Sequence, residues 1–305
     1  MIKSNKILEK VQDYYQSLRS RNQTLKLNNE ENLLKNEKYL RTVNEIGKIN
    51  YQIAKASYSG EIENIEKLKI ELENLQKIKL EIESAEENQI TPNYSCEICK
   101  DNGYVNGKRC VCFNKTLIKT ALYELGVSER SKEYFSNSIP TPLNKHYAIM
   151  MDYTKKFPET EVNNYVFIGS PGTGKTYLSK CVESEVLSKG YSALFLSSTD
   201  LINIFLKMHL SEVDKSLIFE ILSTCDLLII DDLGTEPIYK NVTIEYLLTV
   251  ISTRLDNNKQ FIITTNLSTS ELLERYNERL ISRLSDKTKT RFIPFNLDDL
   301  RRKTK

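Results

Sequence analysis

The chain has 305 residues, of which 40% are apolar and 28% charged, with a formal net charge of +2. That composition excludes a disordered chain, a collagen and a small disulfide scaffold, and the length suits two or three domains. Near-neutral charge confines any nucleic-acid surface to a local patch, and no apolar run reaches the roughly 18 residues a membrane span needs.

Residues 1–90 contain no Pro, only Gly47 and Gly60, and equal numbers of basic and acidic side chains, fifteen of each. Their richness in Glu, Lys, Leu and Ile predicts long helices. From Glu61 to Glu87, Ile65, Leu68, Leu72, Leu75 and Ile82 follow a coiled-coil-like spacing, interrupted by Lys79. Leu33, Leu34, Leu40, Val43, Ile46 and Ile53 predict one earlier helix, and Gly60 allows an antiparallel hairpin. A solvated helical spacer is one reading of this region. Partner binding is the other, because a narrow apolar stripe on a charged helix needs a cover. The first thirty residues lack a signal-peptide h-region, so a cytoplasmic protein is expected.

Residues 91–125 open with Thr91-Pro92, which should end the helix. Four of the six Cys then crowd together: Cys96-Glu97-Ile98-Cys99, ten residues, and Cys110-Val111-Cys112, with Gly103 and Gly107 between the pairs. In a reducing compartment metal ligation outweighs disulfides. Four thiolates at these separations can close a tetrahedral Zn²⁺ site with no open position, which makes the metal structural. A segment this short would draw its folding free energy from the ion. Free or redox-active thiols are the alternative. A helix is expected from about Lys115 to Leu125. Residues 126–160, with Pro140, Pro142 and Pro158, read as an irregular linker and lead-in.

Residues 161–305 change pattern. Tyr165–Ile168, Ala193–Leu196, Leu227–Ile230, Phe261–Thr264 and Arg291–Pro294 read as strands, and Thr176–Ser188, Thr199–His209, Val242–Asn257 and Tyr276–Ser285 as helices. This alternation predicts an α/β domain, a parallel sheet flanked by helices.

Gly169-Ser170-Pro171-Gly172-Thr173-Gly174-Lys175-Thr176 fits the phosphate-loop pattern, after a strand and before a helix. Its backbone N–H groups would cradle phosphates. Lys175 would reach the β- and γ-phosphates of ATP, and the Thr176 hydroxyl would bind Mg²⁺. Leu227–Ile230 is a buried strand delivering Asp231 and Asp232 at its C-terminal end, where such sheets bind ligands. Asp231 would hold Mg²⁺ and Asp232 would polarise the attacking water, since neighbours on a strand point to opposite sides. Asn266, after Phe261–Thr265, would meet the γ-phosphate or that water. Arg279 and Arg283 are four apart on one helix face, and either they or Arg301 and Arg302 could reach a neighbouring subunit's γ-phosphate. Surface salt bridges are the plainer reading of these arginines. Lys287, Lys289 and Arg291 offer phosphate contacts to a nucleic acid or a solvated basic loop. Cys181 and Cys225 read as small buried hydrophobes, and His146 and His209 have no ligand-like partners.

With Gly169–Thr176, the run Cys225–Gly234, Thr264-Thr265-Asn266, Glu278–Leu284 and Ile293–Arg301, the last 141 residues resemble the AAA+ ATPase domain of the bacterial replicative helicase loaders (DnaC and DnaI types) and the related IstB transposition helpers. The cysteine segment is similar in kind to the metal domain of DnaI-type loaders. The resemblance implies a P-loop ATPase in which Lys175 and Thr176 are Walker A, Asp231 and Asp232 Walker B, and Asn266 sensor 1. It further implies Arg283 as arginine finger with Arg279 beside it, and Arg301 as sensor 2. Many relatives carry Glu where this chain has Asp232, one methylene shorter, which implies slow turnover. The implied function is an ATP-driven loader that places the replicative DNA helicase on single-stranded DNA, acting as a homo-oligomer when ATP-bound. A transposition or phage replication helper, and a nucleotide-binding adaptor with little hydrolysis, are the alternatives. The zinc segment argues against a simple transposition helper.

Overall fold

The computed structural model describes residues 6–59, 62–85, 93–127, 133–135 and 143–300. The Thr91-Pro92 helix end, Gly60, Pro140, Pro142, Arg301 and Arg302 therefore lie outside the described residues. The chain divides into two compact units, Gln12–Lys108 and Met1–Val11 with Arg109–Lys305.

Three helices, α1 (Lys6–Lys35), α2 (Glu37–Ser59) and α3 (Ile62–Ser84), fill the N-terminal region. The single early helix expected through Leu33–Ile53 is two helices. Asn36 separates them, and its Oδ1 accepts the Tyr39 N–H at 3.1 Å, an N-cap that starts α2 afresh. Helices α2 and α3 pack on each other. They run antiparallel: Tyr39 near the start of α2 donates to Glu83 near the end of α3 at 3.1 Å. The α3 stripe Ile65, Leu68, Leu72, Leu75 and Ile82 turns inward as its spacing implied. The facing seam on α2 is Thr42, Ile46, Ile49, Ile53 and Ala56, whereas Leu34, Leu40 and Val43 are exposed. The stripe finds its cover within the chain, so it no longer argues for a partner protein.

Two short strands, β1 (Tyr104–Val105) and β2 (Lys108–Arg109), pair across a turn. Helix α4 (Val111–Leu125) follows and stops at Gly126, in the left-handed region at φ 76°. The expected irregular lead-in contains a further helix, α5 (Asn144–Lys156). Tyr147, Met150 and Tyr153 recur at intervals of three and are buried, packed in one cluster with Tyr165, Phe167 and Phe295. Pro158 follows this helix without interrupting it, so part of the lead-in is an ordered element.

The core is a five-stranded sheet: β3 (Asn164–Ile168), β4 (Ala193–Ser197), β5 (Leu227–Leu233), β6 (Gln260–Thr265) and β7 (Thr290–Pro294). Its order is β4-β5-β6-β3-β7, and every pairing is parallel. Around it lie α6 (Lys175–Ser188), α7 (Ser198–His209), α8 (Lys215–Thr224), α9 (Thr243–Asp256), α10 (Thr269–Tyr276) and α11 (Glu278–Leu284). Leu227, Leu228, Ile229 and Ile230 are each 0% exposed, as a strand covered on both faces must be. The helix expected as Tyr276–Ser285 is broken at Asn277, whose φ of 85° ends α10 and whose side chain caps α11 at Leu280 N–H, 3.1 Å. With β6 seated between β3 and β5, the C-terminal ends of the strands carrying the phosphate loop, the two acids and Asn266 stand side by side.

Arg254 of α9 is fully buried. Its guanidinium donates to the carbonyls of Leu222 at 2.7 Å and Cys225 at 2.8 Å, to Cys225 Sγ at 3.2 Å, and to the Gln260 carbonyl. It thus satisfies the backbone where β5 and β6 begin. Arg254→Met should cost about 2–4 kcal/mol, because the carbonyls left behind are buried without donors. Urea denaturation of the two proteins reads this directly, and unchanged midpoints would contradict it.

Candidate nucleotide site and cysteine cluster

The phosphate-loop residues leave β3 at Gly169 and enter α6 at Lys175. Gly169 must be glycine: a Cβ there would stand 2.5 Å from the Phe295 carbonyl oxygen. Phe295 is held close because its N–H donates to the Ile168 carbonyl at 2.6 Å. Gly174, the residue before α6, has φ 92°, a conformation that disfavours a side chain. Between these points the loop turns back on itself, and Thr173 Oγ1 donates to the Ser170 carbonyl at 2.9 Å.

A cavity of about 550 Å³ opens here, lined by Pro171–Tyr177, both acids, Thr264 and Asn266, with Leu143 and Leu300 at its apolar side. Lys175 Nζ donates to the carbonyls of Gly169 at 2.6 Å and Ser170 at 2.9 Å and to Asn266 Oδ1 at 2.9 Å. Thr176 Oγ1 donates to the Asp231 carboxylate at 2.9 Å. Asn266 Nδ2 donates to Asp232 Oδ1 at 2.6 Å. The sequence-predicted residues Lys175, Thr176, Asp231, Asp232 and Asn266 therefore share one hydrogen-bonded rim. Burial pushes the Lys175 ammonium below the usual lysine range, against the opposing pull of Asp232 and Asp231. Burial, and then the charge of Asp231, raises the Asp232 carboxyl above the usual range.

Strand alternation does not by itself separate the two acids. The pairing of β5 with β6 shifts register between Ile230 and Leu233, and Asp232 takes a left-handed backbone at φ 59°. Asp231 is buried, while Asp232 is partly exposed to the cavity. Thr264 supports both, a role that sequence reasoning missed. Its hydroxyl donates to Asp231 Oδ1 at 2.7 Å and accepts the Asp232 N–H at 2.8 Å. The available signal was a polar Thr264-Thr265 pair closing an apolar strand.

Arg279 and Arg283 lie on α11, exposed and outside the cavity lining. Arg283 stands 3.8 Å from Asp256, with both side chains more than half exposed, a pair worth little to stability. Lys289 Nζ donates to the Leu255 carbonyl at 3.0 Å, which gives it a structural use. Arg301 lies outside the described residues. Cys181 and Cys225 are buried, as expected.

The sulfurs of Cys96, Cys99, Cys110 and Cys112 lie within 4.8 Å of one another. A tetrahedral centre with Zn–S bonds near 2.3 Å would set them about 3.8 Å apart, so the four thiols fit zinc with slight contraction. Asp101, buried at φ 60°, shapes the first turn. Its carboxylate accepts the N–H of Cys96 at 2.9 Å and of Ser95 at 3.1 Å, and Asn22 Nδ2 at 3.1 Å.

Residues 151–304 match the IstB-like ATP-binding protein family, half of the chain. The chain belongs to the IstB-like ATP-binding family. Among relatives, it is 27% identical to the replicative helicase loader DnaC of Escherichia coli (strain K12) over 135 residues, 43% of this chain and 54% of that protein. It is 32% identical over 109 residues to a protein of insertion sequence IS5376 from Geobacillus stearothermophilus named for ATP binding, 35% of this chain and 42% of that one. The chain thus spans about half the length of the curated relatives it matches. The crystal structure of the DnaC helicase loader aligns at 25% identity with a TM-score of 0.45, covering 52% of this chain and 93% of that one. Among the described residues, no helix is long and apolar enough to cross a membrane.

Three outcomes are expected. Purified protein should hold about one zinc per chain, lost in Cys96→Ser. Asp101→Ala should release zinc to a chelator at least about tenfold faster, within the usual cost of losing a supporting group; equal release rates would count against the support. Thr264→Val keeps the volume and removes the hydroxyl, and it should weaken Mg²⁺-dependent ATP binding about tenfold, the value of one hydrogen bond to a charged group. Calorimetric titration of both proteins measures it.

Proposed function

We propose that this protein is an ATP-hydrolysing loader that delivers a replicative DNA helicase to single-stranded DNA. The observation carrying the proposal is the single rim joining Lys175, Asn266, Asp232, Asp231 and Thr176. In this reading the loop N–H groups from Gly169 to Thr176 bind the phosphates and Lys175 exchanges its loop carbonyls for phosphate oxygens. Thr176 and Asp231 hold Mg²⁺, which offsets charge on the phosphates when bound. Asp232 orients and polarises the attacking water, and Asn266 fixes the Asp232 carboxylate while contacting the γ-phosphate. The raised Asp232 pKa suits a group that must accept a proton transiently. Arg283, with Arg279 beside it and Arg301 further on, reaches the phosphate of a neighbouring subunit, so that ATP joins copies into a homo-oligomer. The exposure of both α11 side chains supports this, because a trans-acting arginine cannot be spent inside its own chain. The partition into a helical region (1–90), a zinc segment with its helix (91–125), a lead-in (126–160) and an ATPase domain (161–305), acting in the cytoplasm, belongs to the same reading. The similarity to DnaC supports the helicase and DNA partners.

The IS5376 relative and the family match favour a second reading, a transposition helper ATPase. One set of assays separates the readings. A loader should co-purify with the host replicative helicase in ATP, and its ATP turnover should respond to single-stranded DNA and fall at least about a hundredfold in Asp232→Asn. Binding to a transposase in place of the helicase supports the helper. ATP binding without turnover overturns the ATPase mechanism in favour of an adaptor.

A further inference from the structure

Glu236 lies four residues beyond Asp232, outside the cavity lining, and its side chain is 0% exposed. A carboxylate buried so completely is costly unless its oxygens are all engaged. Here each oxygen has a separate task. Oε2 accepts the Gly234 N–H at 2.8 Å, which fixes the turn leaving Asp232. Oε1 accepts the Tyr276 hydroxyl, and Tyr276 is the last residue of α10. Arg275 adds a hydrogen bond to the Glu236 carbonyl, and its Nε stands 3.9 Å from Oε1. One residue after Tyr276 the chain reverses at Asn277, φ 85°, and enters α11 with Arg279 and Arg283.

We propose that Glu236 is a positioning residue that ties the Asp232 turn to the α10–α11 corner, so that engagement of the α11 arginines by a neighbouring subunit is transmitted to the group that orients water. This rests on the ATPase reading above and names its regulation. Two properties favour a coupling role over simple packing. A hydrophobic residue of similar volume would fill the site at lower desolvation cost, yet the sequence places a charge there. Both ends of the tether adjoin groups assigned to the reaction: Gly234 lies two residues from Asp232, and Tyr276 three residues from Arg279. The tether is also short: hydrogen bonds on both sides of one side chain leave little slack between Tyr276 and Gly234.

Tyr276→Phe is the informative variant, since it removes only the hydroxyl and leaves the Gly234 bond and the ring packing in place. Glu236→Gln is the companion. It keeps shape and one acceptor oxygen but loses the charge facing Arg275. Steady-state ATP turnover is measured as a function of protein concentration, with KM for ATP, and thermal melting is recorded for each protein. The expected result for Tyr276→Phe is a kcat lowered about tenfold in the assembled range with KM within about twofold, and a turnover per subunit that no longer rises with concentration. A uniform loss of active protein, with the concentration dependence retained, would show a merely structural role and overturn the tether. Wild-type values in both variants would overturn it too. A wild type that binds ATP and does not turn it over would instead overturn the ATPase reading, and the tether with it.

Discussion

The Asp231 carboxylate is the interaction on which the rest depends. It is buried at the end of β5, and it is held by hydroxyls from two other elements, Thr176 at the start of α6 and Thr264 on β6. A carboxylate in that place without donors would be costly to the fold. With them it becomes the point where phosphate loop, acid strand and Asn266 strand are fixed in register. The sheet order makes this possible. With β6 between β3 and β5, its polar end reaches left and right, so Thr264 meets Asp231 and Asn266 meets both Lys175 and Asp232.

The site is preorganised around polar contacts that tolerate rearrangement. Lys175 rests on two loop carbonyls and Asn266, weaker acceptors than a phosphate oxygen. Its ammonium is already partly desolvated, which makes an incoming anion more favourable there than it would be in water. Asp232 carries backbone strain at φ 59°, in a register shift of β5. Such strain persists only where neighbours over-determine it, and here the Thr264 hydroxyl and the Asn266 amide do so. The departure from a strict strand is what aims a short carboxylate at the cavity.

Some of the fold was legible because its signals are local. The five strands are short apolar runs bounded by turn residues; four lie within one residue of their expected ends, and β5 starts where expected but runs three residues further, to Leu233. The α3 stripe was legible from its period. What covers that stripe was not: Thr42 and Ala56, small and unremarkable in sequence, form the seam, while Leu40 and Val43 face solvent. Helix α5 was missed because its buried face is built from Tyr and Met between prolines. The breaks at Asn36 and Asn277 are single capping residues inside otherwise continuous helical patterns, where a side chain competes with the backbone hydrogen bond only once the neighbouring helix has a direction of its own.

The sequence by itself determined the chemistry: a glycine loop ending in Lys175-Thr176, paired acids after an apolar strand, four cysteines in two close pairs. Those are properties of residue type and spacing, and they hold in any conformation. Tertiary structure alone decided which groups share a proton or a charge. Thr264 with Asp231, Arg254 with the carbonyls beneath it, and Glu236 with Tyr276 are separated by 33, 6 to 32 and 40 residues. Hydrogen bonding acts over about 3 Å, so pairings across such lengths of chain exist only after the strands and helices have taken their order.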